Sequence, residues 1–144
     1  MQTGRIIESL ARQTSLLDNL DQSEVVAVLN CCTSGSFTNT EVIYNEDSSG
    51  NNLFIVITGS VLLKKNGQTL EIMRPGDCFG EIGAVSDEKR VYTAEAYGEV
   101  VTLSIYGEAI DGLTPVTQIK VLKNILHIIS ARFSKRMSLK DSVM

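Results

Sequence analysis

The sequence predicts a mainly-β fold with flanking helices, and three observations carry that expectation. Short β-rich runs recur between Phe37 and Ile105, the breaks between them have turn chemistry, and helical patterning is confined to the two ends. At the N-terminal end, Asp21 and Glu24 have the spacing of a capping box, and Val25, Val26, Val28 and Leu29 supply apolar positions after it, so residues 1–33 read as a helical segment. The middle, residues 36–106, holds the runs Glu41 to Tyr44, Leu53 to Thr58, Val61 to Lys64, Thr69 to Met73, Tyr92 to Ala96 and Val100 to Ile105. Between them stand Ser48-Ser49-Gly50-Asn51, Gly59, the hairpin pair Asn66-Gly67, Pro75-Gly76-Asp77 and Tyr97-Gly98-Glu99. Regular turns of this kind indicate an antiparallel sandwich or barrel.

Thr114 followed by Pro115 marks the start of a last helix, with Thr114 as N-cap and Pro115 where a missing N–H costs nothing. The helix should run over residues 114–138. Ile119, Leu122, Leu126, Ile129 and Phe133 form one apolar row, and Val121, Ile125 and Ile128 a neighbouring one, so the apolar arc covers roughly half the circumference. One row can rest on the β region while the other meets a partner helix, which predicts a homodimer with Ile125 or Ile128 near its axis. The plainer alternative is one helix half-buried on its own domain.

Length and composition bound the rest. A chain of 144 residues has room for one domain, 1–144, and 43% apolar with 21% charged residues is a globular composition rather than a disordered one. The longest aliphatic and aromatic run, Leu53 to Ile57, is far short of the ~20 residues of a membrane helix, and the polar N-terminus lacks a signal-peptide core, so the expected location is cytoplasmic. Cys31, Cys32 and Cys78 offer no CxxC spacing for zinc and read as reduced, structural thiols. A net charge of −4 gives no overall attraction for nucleic acid. Lys120, Lys123, Arg132, Lys135, Arg136 and Lys140 crowd the last quarter, and the simplest reading of them is a solvated helix face.

The most unusual stretch is Pro75-Gly76-Asp77-Cys78-Phe79-Gly80-Glu81-Ile82-Gly83-Ala84-Val85, followed by a polar excursion and Arg90. Gly80 permits close backbone approach, and residues 81–85 can form one helical turn whose free amides attract an anion. Arg90 precedes an otherwise apolar strand, where an unpaired guanidinium is costly, so it calls for a carboxylate or phosphate partner. One cation, a set of amide donors and one hydroxyl-accepting carboxylate suit a phosphate fused to a ribose.

On these residues the chain resembles the cyclic-nucleotide-binding domain family. Gly80-Glu81-Ile82-Gly83-Ala84 with Arg90 and Thr93-Ala94 looks like its phosphate-binding cassette, Leu53 to Val61 like its strand-turn-strand signature, Arg74 to Glu81 like the lead into the cassette, and Leu16 to Leu20 with Ser23-Glu24 like its first helix. The last helix resembles the dimerising helix of catabolite-activator-like regulators. The resemblance implies an antiparallel double-stranded β-roll of jelly-roll type, and roles for the cassette: Arg90 neutralises the cyclic phosphate, Glu81 takes the ribose 2′-hydroxyl, and the Gly80-Glu81-Ile82-Gly83 backbone cradles the phosphate. Val91 stands where the family usually has Ala, Ser or Thr, and its lack of a hydroxyl favours cAMP over cGMP, or else no nucleotide at all. Gly83 and Tyr92 replace alanines, and Asp47-Ser48 replaces a Gly-Asp turn. Arg132 and Arg136 fall near the positions that cap the base in related regulators.

The resemblance thus implies a stand-alone regulatory module that binds a cyclic mononucleotide, cAMP favoured, and signals through its last helix to a protein effector. No other cofactor is expected. Its rival is a ligand-free dimerisation scaffold on the same fold. A metal-dependent cupin enzyme would need two or three converging histidines, and His127 is the only one; no nucleophile and base pair up either, so neither a metal site nor a catalytic residue is expected. A DNA-binding helix pair would have to follow the last helix, where only Ser138 to Met144 remain.

Overall fold

A computed structural model of the protein describes residue 9 and residues 12–143, with side chains through Ser138. The helical reading of residues 1–8, 10 and 11, and the Lys140 side chain, lie outside the described residues. A 3₁₀ turn, Ser15–Leu17, leads to helix α1, Gln22–Asn30, whose capping box is complete: the Asp21 carboxylate accepts from the Glu24 amide at 2.8 Å, and Glu24 Oε1 accepts from the Asp21 amide at 2.9 Å.

Six strands follow: β1 Thr33–Phe37, β2 Val42–Tyr44, β3 Asn52–Lys65, β4 Gln68–Met73, β5 Cys78–Phe79 and β6 Thr93–Tyr106. All their pairings are antiparallel. The two long strands, β3 and β6, pair with each other from Asn52↔Tyr106 to Lys64↔Thr93, and each takes one short partner per half. The first half of β6 holds β2 and its second half β1, while β5 lies on the first half of β3 and β4 on its second. Register shifts between Val56 and Ser60 bend the pair in the middle. Gly59 sits there at φ +84°, and a Cβ on it would run into the Glu99 carbonyl, so the bend requires glycine.

That bend corrects the sequence expectation at two places. Gly59 and the Tyr97-Gly98-Glu99 turn do not end strands; they lie inside continuous ones. β1, in a segment expected to be partly helical, has the β-poor sequence Thr-Ser-Gly-Ser-Phe and owes its conformation to pairing with β6. At Asn66-Gly67 the expected hairpin turn forms with both residues at positive φ, 53° and 79°.

Because β3 is covered on both faces, its run reads as continuously apolar rather than alternating. Phe54, Val56, Val61 and Leu63 point into one cluster with Met73, Phe79, Ala94, Ala96 and Val100. Leu53 and Ile55 point the other way, into a second cluster with Leu16, Leu17, Val25, Val28, Ile105, Ile110, Val121 and Ile125. Two short helices, α2 Glu81–Val85 and α3 Gly107–Asp111, flank the sheet, and α4, Pro115–Val143, closes the chain.

The first half of α4 is pinned to the N-terminal segment. Asn124, buried, donates to the Leu16 and Asp18 carbonyls at 2.8 Å each, and Lys120 Nζ meets Glu24 Oε1 at 2.7 Å while the Thr117 hydroxyl donates to Glu24 Oε2 at 3.0 Å. The Lys120 bond, foremost, and the Asp21 amide hold the Glu24 carboxyl below its ordinary range. Here a second correction arises: Ile125 is 1% exposed and packs with Val121 in the chain's own core, and Ile128 rests against the same cluster. The face left uncovered carries Ile119, Leu126 and Phe133, at 54%, 60% and 66% exposure.

Candidate functional site

The sharp turn Pro75-Gly76-Asp77 delivers β5 alongside β3, and Gly80, at φ +78°, reverses the chain into α2. Glu81 is therefore the first residue of a helix and is only 5% exposed. Arg90 lies just before β6 with its guanidinium turned inward. Nη1 donates to the Gly80 carbonyl at 3.1 Å, Nη2 donates to Asn52 Oδ1 at 2.7 Å, and the group stacks 4.2 Å from the Tyr44 ring centroid. The fit depends on missing side chains: a Cβ on Gly50 or on Gly80 would come within 2.7 Å of the guanidinium nitrogens.

Arg90 is 5% exposed, its Nε has no acceptor, and among the described residues no carboxylate lies within ion-pair reach of it. Burial accordingly lowers its affinity for the proton, opposed by Tyr44 and by the Glu81 charge. Burial also raises the Tyr44 phenol above its ordinary range, so the ring is a neutral platform. This is a cation desolvated ahead of any full counter-charge, with an unmet donor remaining. In place of a carboxylate, neutral acceptors, Asn52 and the Gly80 carbonyl, hold it.

Glu81 has a different partner. Arg132 Nη1, from α4, meets Glu81 Oε1 at 2.5 Å, while Nη2 donates to the Cys78 carbonyl and lies 3.2 Å from Met73 Sδ, and Nε stands 3.8 Å from Glu71 Oε2. Burial works against the Arg132 charge, but the Glu81 and Glu71 carboxylates more than offset it, so the guanidinium stays protonated. One turn on, the Arg136 guanidinium lies 4.6 Å from the Tyr92 ring centroid. The solvated-face reading of the basic cluster thus fits Lys123 and Lys135, which are exposed, and does not fit Lys120, Arg132 or Arg136.

The structure brings Gly80, Glu81, Ile82, Gly83, Arg90, Val91 and Arg132 to one narrow cleft of about 20 Å³, which Tyr44, Leu63, Lys89 and Tyr92 complete. That is far below the roughly 300–1,000 Å³ of small-molecule sites, so the cleft is nearly closed, with Arg132 across it. Asp87, Glu108 and Asp111 line a separate groove, whose carboxylates would repel a phosphate. Sequence reasoning missed Asn52, Tyr44 and the Cys78 carbonyl, and counted one fixed cation where the cleft holds two. Among the described residues no group of three or more His, Cys, Asp or Glu side chains could hold a metal ion, and no helix is long and apolar enough to cross a membrane.

Comparison with known proteins agrees with this geometry. A family model described as a cyclic nucleotide-binding domain matches residues 34–114, from β1 to the start of α4. The cAMP-dependent protein kinase regulatory subunit of Dictyostelium discoideum is 24% identical over 102 residues, 65% of this chain and 31% of that protein. The cGMP-dependent protein kinase of Eimeria tenella is 26% identical over 110 residues, 76% of this chain and 10% of that protein. The chain thus spans a third or less of these curated relatives. Among solved structures, a cyclic nucleotide-binding domain from Methylobacillus flagellatus superposes with a TM-score of 0.82 at 20% identity, covering 93% of this chain and 80% of that one. At that identity the likeness establishes the fold.

Proposed function

We propose that this chain, which belongs to the cyclic nucleotide-binding domain family, is a regulatory module that binds a cyclic mononucleotide in the Gly80–Arg90 cleft, with cAMP favoured. The observation that carries the reading is the Arg90 guanidinium: buried, unpaired by any described carboxylate and left with an orphaned Nε, it is arranged for an anion. In this reading Arg90 neutralises the cyclic phosphate, amides of Glu81, Ile82 and Gly83 hold its oxygens, Glu81 accepts from the ribose 2′-hydroxyl, and Val91 lines the cleft without offering a hydroxyl to guanine. Arg132 lines the same cleft from α4 and Arg136 lies over the Tyr92 ring at its edge; in this reading the two border the base.

The signal leaves through α4 as a population shift, because a ligand that contacts both cassette and helix favours the state in which they are close. The uncovered Ile119, Leu126 and Phe133 recur every seventh residue, the spacing of a coiled-coil seam, which supports a homodimer through α4. The relatives include both a cAMP-dependent and a cGMP-dependent kinase at similar identity, so the preference for cAMP rests on Val91.

A specific observation favours the rival, a ligand-free dimerisation scaffold: Glu81 and Arg90 both have partners within the chain. Calorimetric titration with cAMP and cGMP, alongside mass spectrometry of small molecules released from protein purified without added ligand, separates the two. Saturable binding, tighter for cAMP, is the expected result. Absence of any binding at millimolar nucleotide assigns the chain to the scaffold class.

A further inference from the structure

We infer that the uncovered face of α4 is a docking seam for an acidic amphipathic helix of another protein, which fits it better than a second copy of α4 does. The inference names the partner to which the proposed module passes its signal and rests on that reading for its purpose, while the docking itself needs no nucleotide in the cleft. Two rows lie side by side on the exposed face. Ile119, Leu126 and Phe133 follow at steps of seven, and Val116, Lys123, Ser130 and Met137 stand three or four residues from them. Alternating steps of three and four are the spacing of a coiled-coil seam, and the five apolar members are 44–66% exposed. In the middle of that stripe Lys123 is exposed and makes no ion pair among the described residues.

The charge of the helix decides between occupants. From Pro115 to Lys140, α4 carries Lys120, Lys123, Arg132, Lys135, Arg136 and Lys140 and not one Asp or Glu. Glu24 and Glu81 hold Lys120 and Arg132 within the chain. A second α4, whichever way it runs, therefore brings further cations to Lys123 and no carboxylate, and a lysine on the seam lowers the stability of a self-pair. A helix with an apolar stripe and flanking carboxylates covers the same residues and pairs Lys123, so the seam discriminates by repelling one occupant and attracting the other. Nucleic acid would leave the apolar row uncovered against phosphates. An anionic bilayer would meet the rest of a chain whose net charge is −4 despite its basic helix. The homodimer is thus the weaker occupant, which an acidic helix displaces.

Fluorescence anisotropy on the full chain, without nucleotide, tests this with two labelled peptides of about four heptads. Both have Leu at the a and d positions; one has Glu and the other Lys at the flanking e and g positions. The Glu peptide should bind at least about tenfold tighter than the Lys peptide and weaken with added salt. Lys123→Gln should weaken the Glu peptide about fivefold and, in sedimentation, tighten self-association about fivefold, a crossed pair of shifts that a folding defect does not produce. Equal binding of the two peptides, binding of neither, or unchanged affinity for the Glu peptide in Lys123→Gln overturns the inference. Recruitment to phosphatidylserine–phosphatidylcholine vesicles without binding of the Glu peptide overturns it in favour of a lipid surface. A monomeric chain that binds the Glu peptide upholds the docking seam and refutes only the homodimer. Calorimetry that finds no nucleotide bound, with the Glu peptide still bound, refutes only the sensor reading, so the two failures are told apart.

Discussion

Replacing Arg90 with methionine removes the charge and keeps most of the stem that packs against Tyr44. In the empty protein two opposing effects should nearly cancel. The Gly80 carbonyl and Asn52 Oδ1 lose their donor, at a cost of about 1–3 kcal/mol for buried acceptors left unmade. Against this, the guanidinium is 5% exposed with an orphaned Nε and no described carboxylate in reach, and relief of its desolvation returns about as much. The net change should lie within about 1.5 kcal/mol of zero. With ligand the sum differs, because a cyclic phosphate loses its desolvated counter-charge, worth about 2–5 kcal/mol, or about thirty-fold to several-thousand-fold in affinity. Chemical denaturation with and without cAMP reads both quantities. At a ligand concentration of about 100 times Kd, the wild type should gain about 2.7 kcal/mol and Arg90→Met less than about 1 kcal/mol. Equal ligand-induced stabilisation of the two proteins would refute the assignment of Arg90 to the phosphate. A loss above about 3 kcal/mol in the empty variant would instead make Arg90 a structural strut.

The α4 seam predicts that Leu126→Lys or Phe133→Lys converts a dimer to a monomer in sedimentation at micromolar concentration, whereas Ile125→Lys costs about 3 kcal/mol or more by placing a charge in the core; a monomeric wild type sinks the seam. Lys120 and the Asp21 amide lower the pKa of Glu24 in the folded state, so its contribution to stability is fully present above its ordinary value of 4.5 and lost as pH falls through the folded value. Glu24→Gln should therefore lower the denaturation midpoint at about pH 7 and converge on the wild type in acid, and parallel curves at all pH values would remove Glu24 from the account. Gly59→Ala should cost about 2 kcal/mol or more in thermal or chemical unfolding, because positive φ and the Glu99 carbonyl both oppose a Cβ; a neutral result would mean that the β3–β6 bend does not depend on glycine.

Most of the fold was legible because local chemistry and tertiary structure agree. The Asp21–Glu24 box, the Asn66-Gly67 turn and the start of α4 at Pro115 are each set by side chains within a few residues, and each forms where its pattern stands. The failures are places where distant pairing decides. Gly59 and Gly98, both at positive φ, look like strand ends from sequence, yet a glycine bends a strand as readily as it ends one, and only the partner strand continuing past the bend distinguishes the cases. β1 shows the converse: Thr-Ser-Gly-Ser-Phe has almost no strand signal of its own, and the edge of β6 imposes one.

The candidate site divides along the same line. Glu81, the glycine pair and Arg90 sit within eleven residues of one another, so their convergence could be argued from a turn and a short helix. Asn52 and Tyr44 reach Arg90 only because β3 and β2 lie beside the cassette, which nothing local encodes. Arg132 was nearer to being readable. Val121, Ile125, Ile128, Arg132 and Arg136 follow one another at steps of three and four, so the two arginines continue the stripe that the core residues begin. A cation on the buried stripe of a helix must find a carboxylate or a ring, and Glu81 and Tyr92 are what that stripe meets. Ranking the rows of α4 by apolar content alone assigns the stripe to a partner helix; following its phase past Ile128 assigns it to the chain's own body, with Arg132 in the cleft and Arg136 over Tyr92 at its edge.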